Sequence, residues 1–431
     1  MKSFPFALLF CFSLSATAAD KPSPVSIETL VANTLAGNPE LQYYEAEIVA
    51  AKAGRREAGK LGNPELNVDF GRMRVVNGSS ATEDLSISNG YGYAVTLAQP
   101  IEWPGRLGLR KAIANRDITL AELGLAKFRS FLAARVRALA YALAMQQLDA
   151  AAAGEVAERF AAVRAVLVQR DPGGAAPLLE ARIIEAATVG VQRRAGETAV
   201  VMQKTLLELN FLMGKRADTP LIVKRVDFAL STLPPLGVLL AQSAQHNYDL
   251  RVKRVELEQQ GLKVDLAKNE RHPTFTVGPV IQDQLPGGRQ TLIGINVSMP
   301  LPFWNTGKDK VATADARRMQ AEAMLNNLLR ETERKVTEAM IILQTQRQRL
   351  DLWPAELMKI FSDAAALADQ HYRLGAVQVS SYLDMQDRYL QALEAINATK
   401  IEALQAALDL EQFIGSSQPL VKTAAEENAK P

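Results

Sequence analysis

The sequence of 431 residues holds one cysteine, three histidines and few aromatic residues, 6% in all. The lone Cys11 falls in the first 19 residues, so a chain trimmed after them carries no disulfide, thiolate metal site or cysteine nucleophile. His246, His272 and His371 are too far apart in sequence to form a local metal box. Charge of one sign is also missing: 49 Lys and Arg against 47 Asp and Glu leave +2, without long blocks of either sign. That balance offers no footprint for nucleic acid. Nucleotide-binding loops and the HExxH and GxSxG signatures are absent as well, which points away from an enzyme and from a bound cofactor. Past the first residues there is no apolar run of the ~20 positions a spanning helix needs.

What is there begins with an export signal. Residues 1–19 combine Lys2, a short apolar stretch and the small-residue exit Ala16-Thr17-Ala18-Ala19, the pattern of a secretory signal peptide. Leu8-Leu9-Phe10 before Cys11 is a poor lipidation site, because such a site wants a small residue directly before the cysteine. The hydrophobic share of 48% is ample for a folded core.

Internal repetition carries most of the information. Leu30-Val31-Ala32-Asn33 through Asn38-Pro39-Glu40-Leu41 recurs roughly 200 residues later as Leu239-Leu240-Ala241-Gln242 through Asn247-Tyr248-Asp249-Leu250. Asn63-Pro64 likewise matches His272-Pro273, Gln99-Pro100 matches Met299-Pro300, and Leu207-Glu208-Leu209 with Gly214 matches Leu408-Asp409-Leu410 with Gly415. The expected organisation is a first repeat over 20–215, a Pro-containing linker over 216–235, a second repeat over 236–415, and a disordered tail over 416–431.

The apolar period changes at matching places in each copy. Helical spacing runs from Ser26 to Leu61 and from Leu236 to Arg271, until an Xaa-Pro step stops it. The period then becomes two. Leu66, Val68 and Phe70, then Tyr91, Tyr93, Val95 and Leu97, alternate with small or polar residues, predicting a hairpin at about 66–100. Phe275 and Val277, then Ile293, Ile295, Val297 and Met299, predict a second hairpin at about 274–300. Two long helical patterns follow each hairpin. The stretch from Gly105 to Val168 would reach about 95 Å if helical throughout, with the seam spacing of closely packed coiled-coil helices.

One face of each strand is apolar over roughly the 9–11 residues that cross a membrane as a tilted β-strand. Four strands cannot close a barrel, and an open edge in lipid leaves unpaired backbone groups at several kcal/mol each. Membrane insertion therefore predicts an oligomer. The alternative is a soluble sheet packed on helices, as in a periplasmic coiled-coil adaptor or scaffold.

The order of Asn38-Pro39-Glu40-Leu41, Gly59-Lys60-Leu61-Gly62-Asn63-Pro64 and Tyr372-Arg373-Leu374-Gly375-Ala376, within a duplicated chain, resembles the outer-membrane factor (TolC-like) family of efflux channels. The segment Gln99 to Leu107, followed by Arg110 and Ala114, further resembles its heavy-metal (CzcC-like) branch. The resemblance implies a mainly α fold with a small transmembrane β part: a homotrimer whose twelve strands close one barrel in outer-membrane lipid and whose long helices form a periplasmic α-barrel. It also implies a passive conduit that takes solute, heavy-metal cations in that branch, from a periplasmic adaptor and an inner-membrane pump. The family's periplasmic tip maps to the helix-to-helix turns at Asp171, Gly173 and Gly174 and at Arg373, Leu374, Gly375 and Ala376, the candidate adaptor contacts. Its acidic constriction maps to Ser381 and Asp384, with Asp387 one turn further on. A ring of three carboxylates would concentrate cations; a solvated helix surface is the plain alternative.

Trp103, Trp304, Phe303, Tyr91 and Tyr93 flank strands, where aromatic residues mark membrane interfaces or pack in a core. His371 lies on an apolar stripe, as a packed or pore-facing histidine does. Asn77 to Gly90 and Asp283 to Arg289 read as the extracellular hairpin loops.

Overall fold

A computed structural model describes residues 24–77, 86–170, 175–224, 228–285, 288–353, 356–415 and 420–423. The signal segment 1–19, the turn residues Asp171, Gly173 and Gly174, and most of the tail lie outside the described residues.

The first copy runs α1 (Ile27–Gly37), α2 (Pro39–Ala58), β1 (Glu65–Asn77), β2 (Ser86–Ile101), α3 (Arg106–Arg170) and α4 (Ala175–Leu212). A short β3 (Phe228–Leu230) precedes the second copy: α5 (Leu236–His246), α6 (Tyr248–Asn269), β4 (Phe275–Gln284), β5 (Gln290–Ser298), α7 (Lys308–Asp351), α8 (Leu357–Arg373) and α9 (Val379–Ile414). The chain ends on β6 (Val421–Thr423). Both hairpins fall where the two-residue period places them, and α3 is one helix of 65 residues.

Several boundaries differ from the sequence expectation. The hairpin loops expected over Asn77–Gly90 and Asp283–Arg289 are shorter, because β2 already begins at Ser86 and β4 runs on to Gln284. The single helix expected from Ser26 to Leu61 is two, because Asn38 caps a new start: its Oδ1 accepts from the Glu40 N–H at 2.8 Å and Pro39 occupies the first turn. Asn247 repeats the device in the second copy, accepting from the Leu250 N–H at 3.0 Å. The second copy also has three helices after its hairpin where two were expected. Helix α7 closes with Leu352 N–H on the Gln348 carbonyl and Trp353 N–H on that of Leu350, just before Pro354, which disfavours helical backbone at the residue ahead of it. Finally, the linker and the tail, both expected without strands, pair with each other: β3 runs antiparallel to β6, Leu230 opposite Val421. Ser231 N–H adds a bond to the Leu420 carbonyl at 2.8 Å.

The chain divides into two compact units. One comprises the described residues of 35–138, 227–361 and 394–431. It holds the four-stranded sheet and a core of Leu239, Val336, Leu343, Ala407 and Leu410 from α5, α7 and α9. Phe413 ties α5 to α9, its carbonyl accepting from Ser243 Oγ at 2.8 Å and Asn247 Nδ2 at 2.9 Å. Glu411 holds the tail: its carboxylate accepts from the backbone N–H groups of Leu420 and Val421. The other unit comprises the described residues of 1–34, 139–226 and 362–393. Its core includes Ile27, Leu30, Leu143, Phe160, Ile184, Leu209, Tyr382 and Leu390. Helices α3 and α9 contribute residues to both units.

Candidate functional site

The sheet has the order β1-β2-β4-β5 with antiparallel pairing throughout, so the two hairpins join through β2 and β4 into one strip. Gly278 allows that junction, since a Cβ there would overlap the carbonyl oxygen of Leu97. Among the described residues β1 and β5 each pair on one side only. Register sorts the side chains into two faces. Val68, Val95, Ile281 and Ile293 form one row across the strip, flanked on the same face by Leu66, Leu97, Ile295 and Val297. The opposite face carries Asn67, Asp69, Ala94, Thr96, Gln282, Gly294 and Asn296. Ile293 and Ile295 are about three-quarters exposed, 75% and 76%, so none of the described residues covers the apolar face at this end of the strip. A face this apolar and this open needs lipid or another protein against it.

At the turn end of the strip the apolar face becomes aromatic and polar. Phe70, Tyr93, Asp283 and Thr291 form the next row, and Phe70 stacks on Tyr91 with ring centroids 6.0 Å apart. Asp283 accepts from Arg289 Nε at 3.1 Å and from Thr291 Oγ1 at 3.1 Å. At the helix end, Arg106 is buried and satisfied by four acceptors: Asn269 Oδ1 at 3.0 Å, Thr274 Oγ1 at 2.6 Å, and the carbonyls of Asn269 and His272 at 3.1 and 2.6 Å. Trp103 stacks on His272 at 4.5 Å. Trp304, just past β5, is 96% exposed, which excludes the core-packing reading for that residue within the protomer. The clamp at Arg106 is hard to read from the sequence. Its one signal is an arginine immediately after Pro104-Gly105, where α3 starts.

The other candidate elements belong to the second unit. Between α8 and α9 the chain reverses at Gly375, whose φ of +77° is the left-handed conformation that favours glycine. Gly375 N–H donates to the Tyr372 carbonyl at 3.0 Å and Ala376 N–H to that of His371 at 2.9 Å, closing the helix end. Arg373, Leu374, Gly375 and Ala376 are all exposed. Arg373 is also braced by Asp369, Nε to Oδ2 at 2.9 Å. The same carboxylate accepts from the Tyr382 hydroxyl at 3.2 Å, and Tyr382 stacks flat on Tyr372 at 4.9 Å. Burial, followed by the neighbouring Asp369 charge, pushes the Tyr382 hydroxyl well above the usual phenol range, so it stays protonated. A cavity of about 370 Å³ opens beside the turn, lined by Val163, Val166, Glu180, Tyr372 and Gln378 among others. His371 is exposed, so it is not packed within the protomer.

Ser381, Asp384 and Asp387 lie together on the exposed face of α9, opposite buried Tyr382, Gln386 and Leu390. The carboxylates are not bare. Asp384 Oδ2 accepts from Arg388 Nε at 2.8 Å, and Asp387 Oδ1 accepts from Arg194 Nη1 of α4 at 2.9 Å. The i,i+4 spacing of Asp384 and Arg388 was visible in the sequence; the partnership with Arg194 was not, because it is tertiary.

Comparison with known proteins adds a family. Residues 239–416 match the family model described as outer membrane efflux protein. The match covers less than half of the chain. It takes in the second copy almost whole, from α5 to the end of α9. No curated protein matches the chain. Solved structures similar to it include CusC, at 14% identity, 94% of this chain, 96% of that one and a TM-score of 0.70. The CmeC outer membrane channel of Campylobacter jejuni is similar at 16% identity over 96% and 94% of the two chains, with a TM-score of 0.69. The MtrE outer membrane channel of Neisseria gonorrhoeae, in its open state, is similar at 15% over 90% and 89%, with a TM-score of 0.67. The residues that match the efflux-protein model thus sit within a chain whose fold, over 90–96% of its length, is similar to that of these solved structures.

Proposed function

We propose that this protein is the outer-membrane channel of a tripartite efflux system, a passive homotrimeric conduit between a periplasmic adaptor with its inner-membrane pump and the exterior. The observation that carries this reading is the four-stranded strip, apolar on one face and unpaired at both edges. Three such strips, joined edge to edge, make a closed 12-stranded barrel in which every backbone group is satisfied and the apolar face meets lipid. The small and polar face then lines the passage. In the periplasmic part, exposed apolar residues such as Leu179, Val189 and Phe211 of α4 pack against neighbouring protomers.

Within that reading Asp384, with Ser381 and Asp387 on the same helix face, forms the periplasmic gate. Leu374, Gly375 and Ala376, together with the turn at Asp171, Gly173 and Gly174, meet the adaptor. The CzcC-like segment from Gln99 to Leu107 supports heavy-metal cations as the solute. Energy comes from the pump. The test is planar-bilayer conductance of the purified oligomer with its mass determined in detergent. Conducting trimers are expected. A monomer that neither inserts nor conducts overturns the reading in favour of a soluble scaffold.

A further inference from the structure

Near the hairpin turns the strip's apolar face carries two arginines that the channel reading does not use, followed by one last row of Val76 opposite Ile87. Strand parity places Arg72 and Arg74 of β1 on the same face as Leu66, Val68 and Phe70, at the end nearest the hairpin turns. Arg72 stands opposite Tyr91, one row beyond the row of Phe70, Tyr93, Asp283 and Thr291. Arg74 stands opposite Asn89 in the row after that. Both side chains are exposed. Neither has an ion-pair partner among the described residues. Asp283, the carboxylate of that rim, is already engaged by Arg289 and Thr291. Asp69 projects to the opposite face. The order along the face, up to the last row of Val76 and Ile87 beside the turn, is therefore apolar, aromatic, cationic.

That order mirrors the outer half of a membrane: acyl chains, the interface where aromatic residues settle, then headgroups. A cation on a barrel's lipid face is costly at mid-bilayer and nearly free at the interface, so two adjacent unpaired arginines belong at headgroup depth. The fork of each guanidinium matches a phosphate oxygen pair. We infer that Arg72 and Arg74, above the Phe70–Tyr91 stack, form a docking surface for the phosphate groups of outer-leaflet lipid. The inference rests on the channel reading, which sets this face toward lipid and the hairpin turns outward.

The experiment titrates detergent-solubilised trimers with diphosphoryl lipid A, with its dephosphorylated form and with inorganic phosphate, following bound lipid by native mass spectrometry. Diphosphoryl lipid A should bind about 30-fold more weakly to the Arg72→Gln/Arg74→Gln double variant than to the natural protein. The Arg72→Lys/Arg74→Lys variant should retain more of that binding than the Gln pair. Equal binding by the Gln variant overturns the inference. Independently of any variant, the natural protein should prefer the phosphorylated lipid by a similar factor, and equal affinity for the two lipids also overturns it. Displacement of the lipid by millimolar inorganic phosphate would show a simple anion patch and overturn it too. The two readings fail separately. Natural protein without conducting trimers removes the channel, whereas conducting trimers with lipid binding indifferent to Arg72 and Arg74 remove only the lipid surface.

Discussion

Arg106 donates to the backbone carbonyl of His272 at 2.6 Å, fastening the first residue of the long helix of one copy to the segment that leads into the first strand of the other. The same guanidinium reaches Asn269 and Thr274, so one side chain holds the two copies in register where helices give way to strands. Hydrogen bonds to a charged group contribute about 1.5–3 kcal/mol each when well made, and partly exposed acceptors recover some of this from water. Arg106→Met should therefore lower stability by about 2–4 kcal/mol, read as a fall in the thermal midpoint of the oligomer in detergent. Arg106→Lys should not restore it, because an ammonium cannot span the four acceptors. Full rescue by lysine would reduce the site to a simple charge.

The apolar face of the strip makes a second expectation. Val95 and Ile295 both point into it, Val95 in the row with Val68 and Ile281. A cation there costs about 2–4 kcal/mol at mid-bilayer. Val95→Arg and Ile295→Arg should each cut the yield of assembled protein in outer-membrane fractions, while Thr96→Arg, on the opposite face, should be judged by altered conductance. Undiminished assembly with both lipid-face changes would mean the two faces are assigned the wrong way round.

Much of this was legible in the sequence. A period of two over six or more residues has few rivals, so the outer ends of both hairpins fell within a residue or two of their places, while β2 starts five residues earlier than expected, at Ser86, where Asn, Gly and Ser masked the alternation. The helix breaks at Asn38 and Asn247 were harder, since the apolar stripe continues across them and only the capping chemistry of asparagine marks the stop. Strands β3 and β6 left no trace, because three residues carry no period and their pairing joins segments about 190 residues apart, held in place by Glu411 from the end of α9. At the proposed gate the residue types were readable. The salt bridge from Arg194 was not, as its two ends lie on different helices.

Pairing changes what the gate should do. Arg388 Nε sits 2.8 Å from Asp384, and that contact raises the arginine's already high pKa further. Asp384→Ala should weaken block by divalent cations and shift single-channel conductance while trimer yield holds. Arg388→Ala, by exposing the carboxylate, should move block in the opposite direction. If both variants behave as the natural channel does in planar bilayers, Asp384 is a surface residue and nothing more.

Tail docking should depend on pH. Burial raises the Glu411 pKa above its ordinary value, outweighing the two backbone N–H groups that oppose it, and Asp409 is raised for the same first cause. A carboxyl whose folded pKa exceeds its unfolded value of about 4.3 contributes stability below that value, and loses it as pH climbs through the folded pKa. Hydrogen-exchange protection of the 421–423 strand should accordingly fall as pH rises through that window, after correction for intrinsic exchange. Glu411→Gln should flatten the dependence. A slope that survives in Glu411→Gln and vanishes in Asp409→Asn would assign it to the other carboxyl.

The unpaired edges of the strip bear on genetics as well as on assembly. In the proposed trimer, a chain whose β1 or β5 edge is damaged still offers its sound edge to a partner, so it would be recruited and spoil the ring it joins. With damaged and sound chains made in equal amounts and mixed at random, roughly one ring in eight is wholly sound. Lesions in these two strands should thus be dominant over a working gene copy, whereas lesions that abolish folding outright should be recessive.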